Sequence, residues 1–327
     1  MGLNIDFSIS INGVGISEEL KKRVISLKIS DSAGIQSDSC FIELDDYDDS
    51  LPLPRSEAIL VVSIGYKETG IRELGRYYTK EITLNGGRRT MQIYGHAVSK
   101  AMMSEKDKSR SKEKLDSVLS SMASEYGLDS VIDLEYHDEE LSDAQIGESD
   151  ISYLTRKAVD LGAVSKPTAS KLLFANDMSG ASVTGKKLQP VIINLSDITD
   201  YSCSLKDSEN GYATESNVGT VYAEWQDKSS GVVHIVHAGS GEPERKLPQR
   251  FSNEKEAMSA CIGKQKRLVK NSKTFSFSCV GNPNLMAEHP VVLAGFPSKI
   301  PTNWIITHAE HIIDSSGYKT RVECAIR

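Results

Sequence analysis

From Gly281 onward the chain sets short apolar runs between close-spaced breakers. Gly281-Asn282-Pro283-Asn284-Leu285 leads to Pro290-Val291-Val292-Leu293-Ala294-Gly295-Phe296, then to Trp304-Ile305-Ile306-Thr307-His308-Ala309-Glu310-His311, and closes on Gly317-Tyr318-Lys319-Thr320-Arg321-Val322. Runs this short, cut by Gly, Pro and Asn, are too brief for stable helices and suit a β-meander. The preceding residues extend the pattern. Tyr201 to Leu205, Val218 to Trp225, Val232 to His237 and Lys273 to Val280 are further strand candidates. One helix interrupts them, starting at Ser252 or Asn253 and passing through Ala257, Ala260, Cys261 and Leu268, with Glu254 and Glu256 favourably placed at its positive end. Trp225 and Trp304 fall in alternating strand patterns and are expected to anchor one C-terminal β core.

The first 97 residues also read as all-β. Leu3, Ile5, Phe7, Ile9 and Ile11 alternate with polar residues, as in a half-buried strand. Val24 to Ile29, Cys40 to Leu44, Ile59 to Tyr66, Leu74 to Leu84 and Met91 to Ala97 follow, with Asn85-Gly86-Gly87 as a turn. Strands of this number and spacing predict a barrel or sandwich.

Between these β segments the period changes. Leu115, Val118, Leu119, Met122 and Tyr126 share a helix face that Gly127 ends, with Ser111 the expected N-cap. A second helix is expected to begin at Glu148-Ser149-Asp150, with Ser149 or Asp150 as cap, and to run through Ile151, Leu154, Ala158 and Leu161 to Gly162. Val131 to Leu134 reads as a short strand. The chain therefore divides into an N-terminal β domain (1–97), a small α/β insert (98–195) and a C-terminal β domain with one helix (196–327).

Composition narrows the function classes. The chain has 327 residues and a formal charge of -7, with a pI near 5.6 and mean hydropathy of -0.31. That balance disfavours a nucleic-acid groove, which needs a basic face. No apolar run approaches the roughly 20 residues of a membrane span, and the N-terminus lacks the pattern of a signal peptide. Cys40, Cys203, Cys261, Cys279 and Cys324 are odd in number and scattered, which suits buried, reduced thiols.

Catalytic chemistry is hard to place. His234 and His237 sit in a strand-like run, where residues three apart face opposite ways and cannot share a metal. His308 and His311 fail likewise, and no catalytic residue, metal or cofactor is assigned. Gly239-Ser240-Gly241 lacks the context of a nucleophile elbow and reads as a hairpin tip. Two charge runs remain. Lys106, Lys108, Arg110, Lys112 and Lys114 read as a solvated linker or, alternatively, a docking site for an acidic partner. Asp45, Asp46, Asp48 and Asp49 read as an exposed turn or as acidic side chains facing a channel, where like charge would repel phosphates over about a Debye length of ~10 Å.

Several of these motifs, in order, resemble the late-control gene D family, the hub proteins of contractile phage tails. The C-terminal stretch resembles that family's "G-x-P-x-L", "V-x-L-x-G-F" and "W-x-I-T-x-x-x-H", through Pro283, Gly295, Trp304 and His311. Upstream, Glu43-Leu44-Asp45-Asp46-Tyr47-Asp48, Leu51-Pro52-Leu53-Pro54, Ile64-Gly65-Tyr66 and Leu74-Gly75-Arg76-Tyr77-Tyr78 fall in the family's order, with Tyr47 inside the acidic pattern and Leu74 in place of Met. Glu148-Ser149-Asp150, Tyr153-Leu154, Arg156 and Gly162-Ala163 match "E-S-D-x-x-F-L-x-R-x-A-x-x-x-G-A", and Val221 to Asp227 matches "V-x-A-x-W-x-D" through Trp225.

The resemblance implies a mainly β fold, with two tail-tube-like β-barrel domains plus the helix-containing insert. It gives the motif residues Gly65, Glu148, Ser149, Asp150, Gly162, Trp225, Pro283, Gly295, Trp304 and His311 structural roles. It also implies a non-enzymatic homotrimer made in the bacterial cytoplasm and built into the baseplate of a phage or tailocin. Its partners there would be a hexameric tail tube protein, a trimeric spike protein, the tape-measure protein and other baseplate proteins. The last strand stops beside Arg327, so the spike is expected on another chain. A hub of a type VI-like secretion system, as in the N-terminal region of VgrG-type spikes, is the near alternative. A tail-tip cell-wall hydrolase is the alternative of a different class.

Overall fold

The computed structural model describes residues 3–33, 37–133, 140–161, 163–167, 171–176, 188–208, 211–212, 219–227 and 229–326. The N-terminal unit comprises β1 (Ile5–Ile11), β2 (Val14–Gly15), α1 (Glu18–Lys22), β3 (Val24–Ser32), β4 (Ser39–Asp45), β5 (Ile59–Tyr66), β6 (Gly70–Asn85) and β7 (Thr90–His96). Period-2 alternation sends Leu27 and Ile29, Cys40 and Ile42, Leu60, Val62 and Ile64, and Met91 and Ile93 into one core. β6 serves two neighbours. Its first half pairs with β5 and its second with β7, and Tyr78 belongs to both registers. Irregularities at Val62/Ser63 and Thr79/Glu81 let the sheet curl there.

The insert begins with β8 (Glu105–Lys114) and α2 (Leu115–Glu125). It continues through β9 (Asp129–Asp133), β10 (Glu140–Ser149), α3 (Asp150–Asp160), β11 (Ala163–Pro167) and β12 (Lys171–Asn176). α2 and α3 bury Val118, Leu119, Met122, Tyr153, Leu154 and Ala158 against Leu172 and Phe174. The basic run expected as a linker is strand β8, paired antiparallel with β10. Its charges recur every second residue, which is a strand period, and β10 offers Asp143 and Glu148 along the same ladder. Ser111 therefore lies inside β8, and α2 starts after Lys114 with no side-chain cap.

The C-terminal part contains β13 (Val191–Asn194), β14 (Ile198–Leu205), β15 (Asp207–Ser208), β16 (Gly211–Tyr212), β17 (Gly219–Gln226), β18 (Val233–Ser240) and β19 (Arg245–Phe251). These are followed by α4 (Glu254–Lys270), β20 (Lys273–Val280), β21 (Pro290–Ala294), β22 (Asn303–Asp314) and β23 (Gly317–Ile326). It holds two cores. Phe275, Phe277, Leu293, Trp304, Ile306 and Val322 form one. Val221, Ala223, Val236, Ala257, Ala260 and Cys261 form the other, between α4 and the sheet β18-β17-β19. Trp225 packs on this second core, so the two tryptophans do not share one. Gly239-Ser240-Gly241 is not a hairpin tip either. β18 and β19 lie on opposite sides of β17, which pairs antiparallel with the first and parallel with the second.

The two larger β units are fused by backbone. β22 pairs antiparallel with β3, from His308↔Ser32 to Ile313↔Leu27. One sheet consequently runs β14-β20-β23-β22-β3-β4-β7-β6-β5-β1-β2 through both units. The fold is mainly β, two sheet-rich units plus a helix-containing insert. Among the described residues no helix is long and apolar enough to cross a membrane.

Candidate functional site: the junction of three segments

Residues from the N-terminal unit, the insert and the C-terminal loop 281–289 meet at one buried cluster. Lys166, on β11, places its Nζ 2.9 Å from Asp31 Oδ1 and 3.2 Å from Asp38 Oδ1, and donates to the Ser32 carbonyl at 2.7 Å. The N–H of Ala287 donates to Asp31 Oδ2 at 2.8 Å, and that of Ser32 donates to Asp38 at 3.1 Å. Lys166 and Asp31 are nearly solvent-free. Burial works against the charge on each group. Burial opposes the Asp31 charge but Lys166 overrides it and holds the carboxyl below its usual range, while burial and then Asp31 push Asp38 up to about 7. Burial likewise disfavours the Lys166 ammonium, but the two carboxylates keep it protonated.

Beside it lies a neutral network that uses the C-terminal motif residues. His311 on β22 is fully buried. Its Nε2 sits 3.0 Å from the Leu285 carbonyl, which can only accept, so Nε2 carries the hydrogen. Nδ1 then accepts from the Tyr318 hydroxyl at 2.8 Å. Burial pushes the imidazole down to about 4, so it is neutral near pH 7. Thr320 Oγ1 accepts from the Asn282 N–H at 2.9 Å. The Tyr318 ring lies on Gly281, where a Cβ would fall 2.0 Å from the ring, and Tyr66 donates to the Gly281 carbonyl at 2.7 Å. Pro283 is half-buried in this same turn. A Cβ at Gly65 would come within 2.2 Å of the Gly70 carbonyl oxygen, so only glycine fits that hairpin. Gly295 takes φ +79 directly after β21, a conformation that disfavours side chains.

A second ionic cluster organises the insert. Asp150 opens α3 with its side chain buried. It accepts from Lys106 Nζ at 2.6 Å, the Tyr126 hydroxyl at 2.5 Å and Gln145 Nε2 at 2.8 Å. Burial opposes its charge, but these donors hold the carboxyl below the usual range. Ser149 is the N-cap of α3 and accepts from the Ser152 N–H at 3.2 Å. Glu148 pairs with Arg156 through two guanidinium nitrogens, at 3.2 and 2.8 Å. Arg110 and Arg156 both lie over the Tyr153 ring, at 4.3 and 5.1 Å from its centroid. Gly162 lies outside the described residues.

The remaining sequence candidates are separate from both clusters. Trp304 is fully buried, and its indole N–H donates to the Pro301 carbonyl at 2.6 Å. Trp225 is half-buried and stacks on His234 at 4.6 Å. His237 pairs with Tyr222, one register step of odd length away, and therefore faces the other side. Asp45 and Asp46 accept from the Tyr47 and Leu51 N–H groups, and Asp48 binds the Arg23 guanidinium at 2.6 and 2.7 Å. Asp46 is buried and Asp49 takes φ +54, so this stretch is first of all a built turn. All five cysteines are free, and burial pushes Cys40 up to about 12 and Cys261 and Cys279 to about 11, which suppresses thiolate. Among the described residues no group of three or more His, Cys, Asp or Glu is arranged to hold a metal.

Sequence reasoning did not single out Asp31, Asp38, Lys166 or Gln145. The basic run already held Lys106 and Arg110, and its period of two marked it as a strand, but neither Gln145 on the partner strand nor the junction has a local signal. No family model matches the chain. It is 24% identical over 370 residues to a "probable baseplate hub protein" of Escherichia phage P2, covering 99% of this chain and 94% of that protein. The chain is similar in the same way to the "probable baseplate hub protein" of Escherichia phage 186, at 23% identity over 367 residues, covering 98% of this chain and 92% of that protein. Its fold is shared by the 43 kDa tail protein of prophage MuSo2 from Shewanella oneidensis, at 11% identity, 98% coverage of both chains and a TM-score of 0.66. It is also shared by a type VI secretion component of E. coli described as similar to the phage T4 tail proteins gp27 and gp5. There the identity is 11%, the coverage 97% of this chain and 76% of that one, and the TM-score 0.61.

Proposed function

We propose that this protein is a structural baseplate hub of a contractile phage tail or phage-derived particle, and not an enzyme. The observation that carries this is near-full-length homology to a baseplate hub protein, joined to a fold in which two β units share one sheet. The working state is a homotrimer. Each copy brings two tube-like β units, so three copies offer six similar surfaces to a hexameric tail tube protein and keep three-fold symmetry for a trimeric spike protein. A three-fold object with one such unit per copy could not make six equivalent contacts. The chain comprises three segments, with the N-terminal one at 1–97 and the insert ending before β13, since β13 pairs with β21 and belongs to the C-terminal part rather than to an insert of 98–195. It joins the tape-measure protein and other baseplate proteins in the assembled tail. The seam around the exposed Leu3, Ile71, Ile192 and Val280 is a surface such neighbours would use, and the Asp45–Asp49 turn, apart from the buried Asp46, would face the channel. The shared fold of the E. coli secretion component supports a type VI hub as the second reading.

Light scattering on the purified protein, alone and with its spike, tests the trimer. A monomer that trimerises only with the spike fits, because ring assembly can be cooperative with a neighbour. A monomer under both conditions at micromolar concentration would overturn the trimer. Hydrolysis of purified cell wall by the isolated chain would overturn the structural reading.

A further inference from the structure

The cluster at the three-segment junction is short of one positive charge. Lys166 faces two carboxylates, the buried Asp31 from β3 and the half-buried Asp38 from the residue before β4. Arg72 acts on His289 and His311 beside it, but its guanidinium is exposed and donates to Asn284 at 3.0 Å, and the other titratable groups packed around the cluster do not repair the imbalance. Glu288, in the loop before β21, adds a further negative field at Lys166. Tyr77 on β6 feels both aspartates, and burial keeps its phenol protonated and neutral. Cys40 on β4 is a neutral thiol, its titration also raised by burial. His289 and His311 sense Asp31 but are pushed down by burial, so they too are uncharged near pH 7. Isolated net charge in such a site is costly, and the group that can accept a proton does so.

Geometry selects which carboxylate this is. Asp31 is held more closely, by Lys166 at 2.9 Å and the Ala287 N–H at 2.8 Å. Asp38 has the longer contacts, 3.2 Å to Lys166 and 3.1 Å from the Ser32 N–H. We propose that Lys166, Asp31 and Asp38 form a proton-sensitive latch, in which a proton on Asp38 balances the cluster and fastens the insert to the two fused β units. Loss of that proton leaves a buried net negative charge and loosens β11, and with it the insert. The direction follows from linkage. A carboxyl whose folded value lies near 7, against 3.8 for the ordinary group, takes up protons on folding. Its contribution is therefore greatest on the acid side and falls as pH rises toward 7, then stays flat.

The test is amide hydrogen exchange of β11 and β12 in the full chain, corrected for intrinsic exchange, for wild type and Asp38→Asn. Asparagine stands in for the protonated acid. Comparing about pH 6 with about pH 8.5, wild-type protection of β11 and β12 should drop about tenfold, as one titrating carboxyl near 7 requires. Asp38→Asn should keep the higher protection at both. The wild-type-minus-variant difference cancels the histidines, which are common to both. Equal wild-type protection at the two pH values, or an unchanged pH dependence in Asp38→Asn, would overturn the latch. Should the variant not fold, a carbon-13 titration of aspartate-labelled wild type decides. The Asp38 carboxyl, identified by its loss in Asp38→Glu, should titrate near neutrality, and an ordinary carboxylate midpoint would overturn the proposal.

Discussion

The Asp150 cluster and the Lys166 junction are built from the same ingredients and differ in balance. Around Asp150, Lys106 and Lys108 face Asp150 and Glu125, so cations and anions match in number. Lys106 also reaches partial solvent, and everything it touches belongs to the insert. At the junction one lysine serves two aspartates in a drier site, and its partners come from the N-terminal unit while the Ala287 amide comes from the C-terminal loop. The first arrangement organises one segment. The second ties three together and leaves a charge unmet. Buried ion pairs contribute little net stability against apolar replacements, but removing one partner is costly because the other is stranded. The two sites should therefore respond differently to the same kind of substitution.

Lys166→Met should give the largest effect. It strands two buried carboxylates and should cost about 3–5 kcal/mol in urea denaturation near neutral pH. An effect no larger than that of a surface lysine would break the contrast. Asp150→Ala should cost less, about 2 kcal/mol, since the freed Lys106 can turn to water while Tyr126 and Gln145 lose a charged acceptor. If it exceeded Lys166→Met, the insert's cluster would be the more stranded of the two.

His311 sharpens the comparison through pH. Its folded value is pushed from 6.5 down to about 4, so the folded state binds fewer protons than the unfolded chain in that window. Its contribution is complete above 6.5 and is lost as pH falls toward 4, opposite in sign to that of Asp38. Between pH 7 and 5 the loss should reach about 2 kcal/mol, and His311→Gln should remove it. Thermal melts across that range would then expose the Asp38 slope, with stability rising on acidification. Ser149→Ala should have the smallest effect, about 1 kcal/mol, confined to the start of α3. A melt unchanged from wild type would show that Asp150 alone suffices there.

Much of the fold was legible because it is written in short-range periods. Alternation located β1, β3 to β7 and β20 to β23, and the caps Ser149 and Asn253 marked α3 and α4. The basic run was misread because charge suggested solvent, although its period of two pointed to a strand. The β18 to β19 connection was misread because a Gly-Ser-Gly turn looks alike whether the next strand pairs beside it or beyond a third. The junction was not legible at all. Residues 31, 38, 166 and 287 share no local pattern, and only tertiary folding brings them together.

The backbone seam between β22 and β3 also decides how force would travel through this chain. Six residue pairs bind the two strands side by side, from His308↔Ser32 to Ile313↔Leu27. A pull along the strand direction strains these hydrogen bonds together, so the two β units respond as one stiff beam. The insert has no such ladder to either unit; its described strands pair only among themselves. It is held by contacts that involve side chains, Lys166 on one side and, on the other, Gln249 to Asp160, Ser259 to the Leu161 carbonyl and Arg267 to the Val159 carbonyl. Under sudden axial thrust the double β unit would move as a piston, and the insert would be the part that lags.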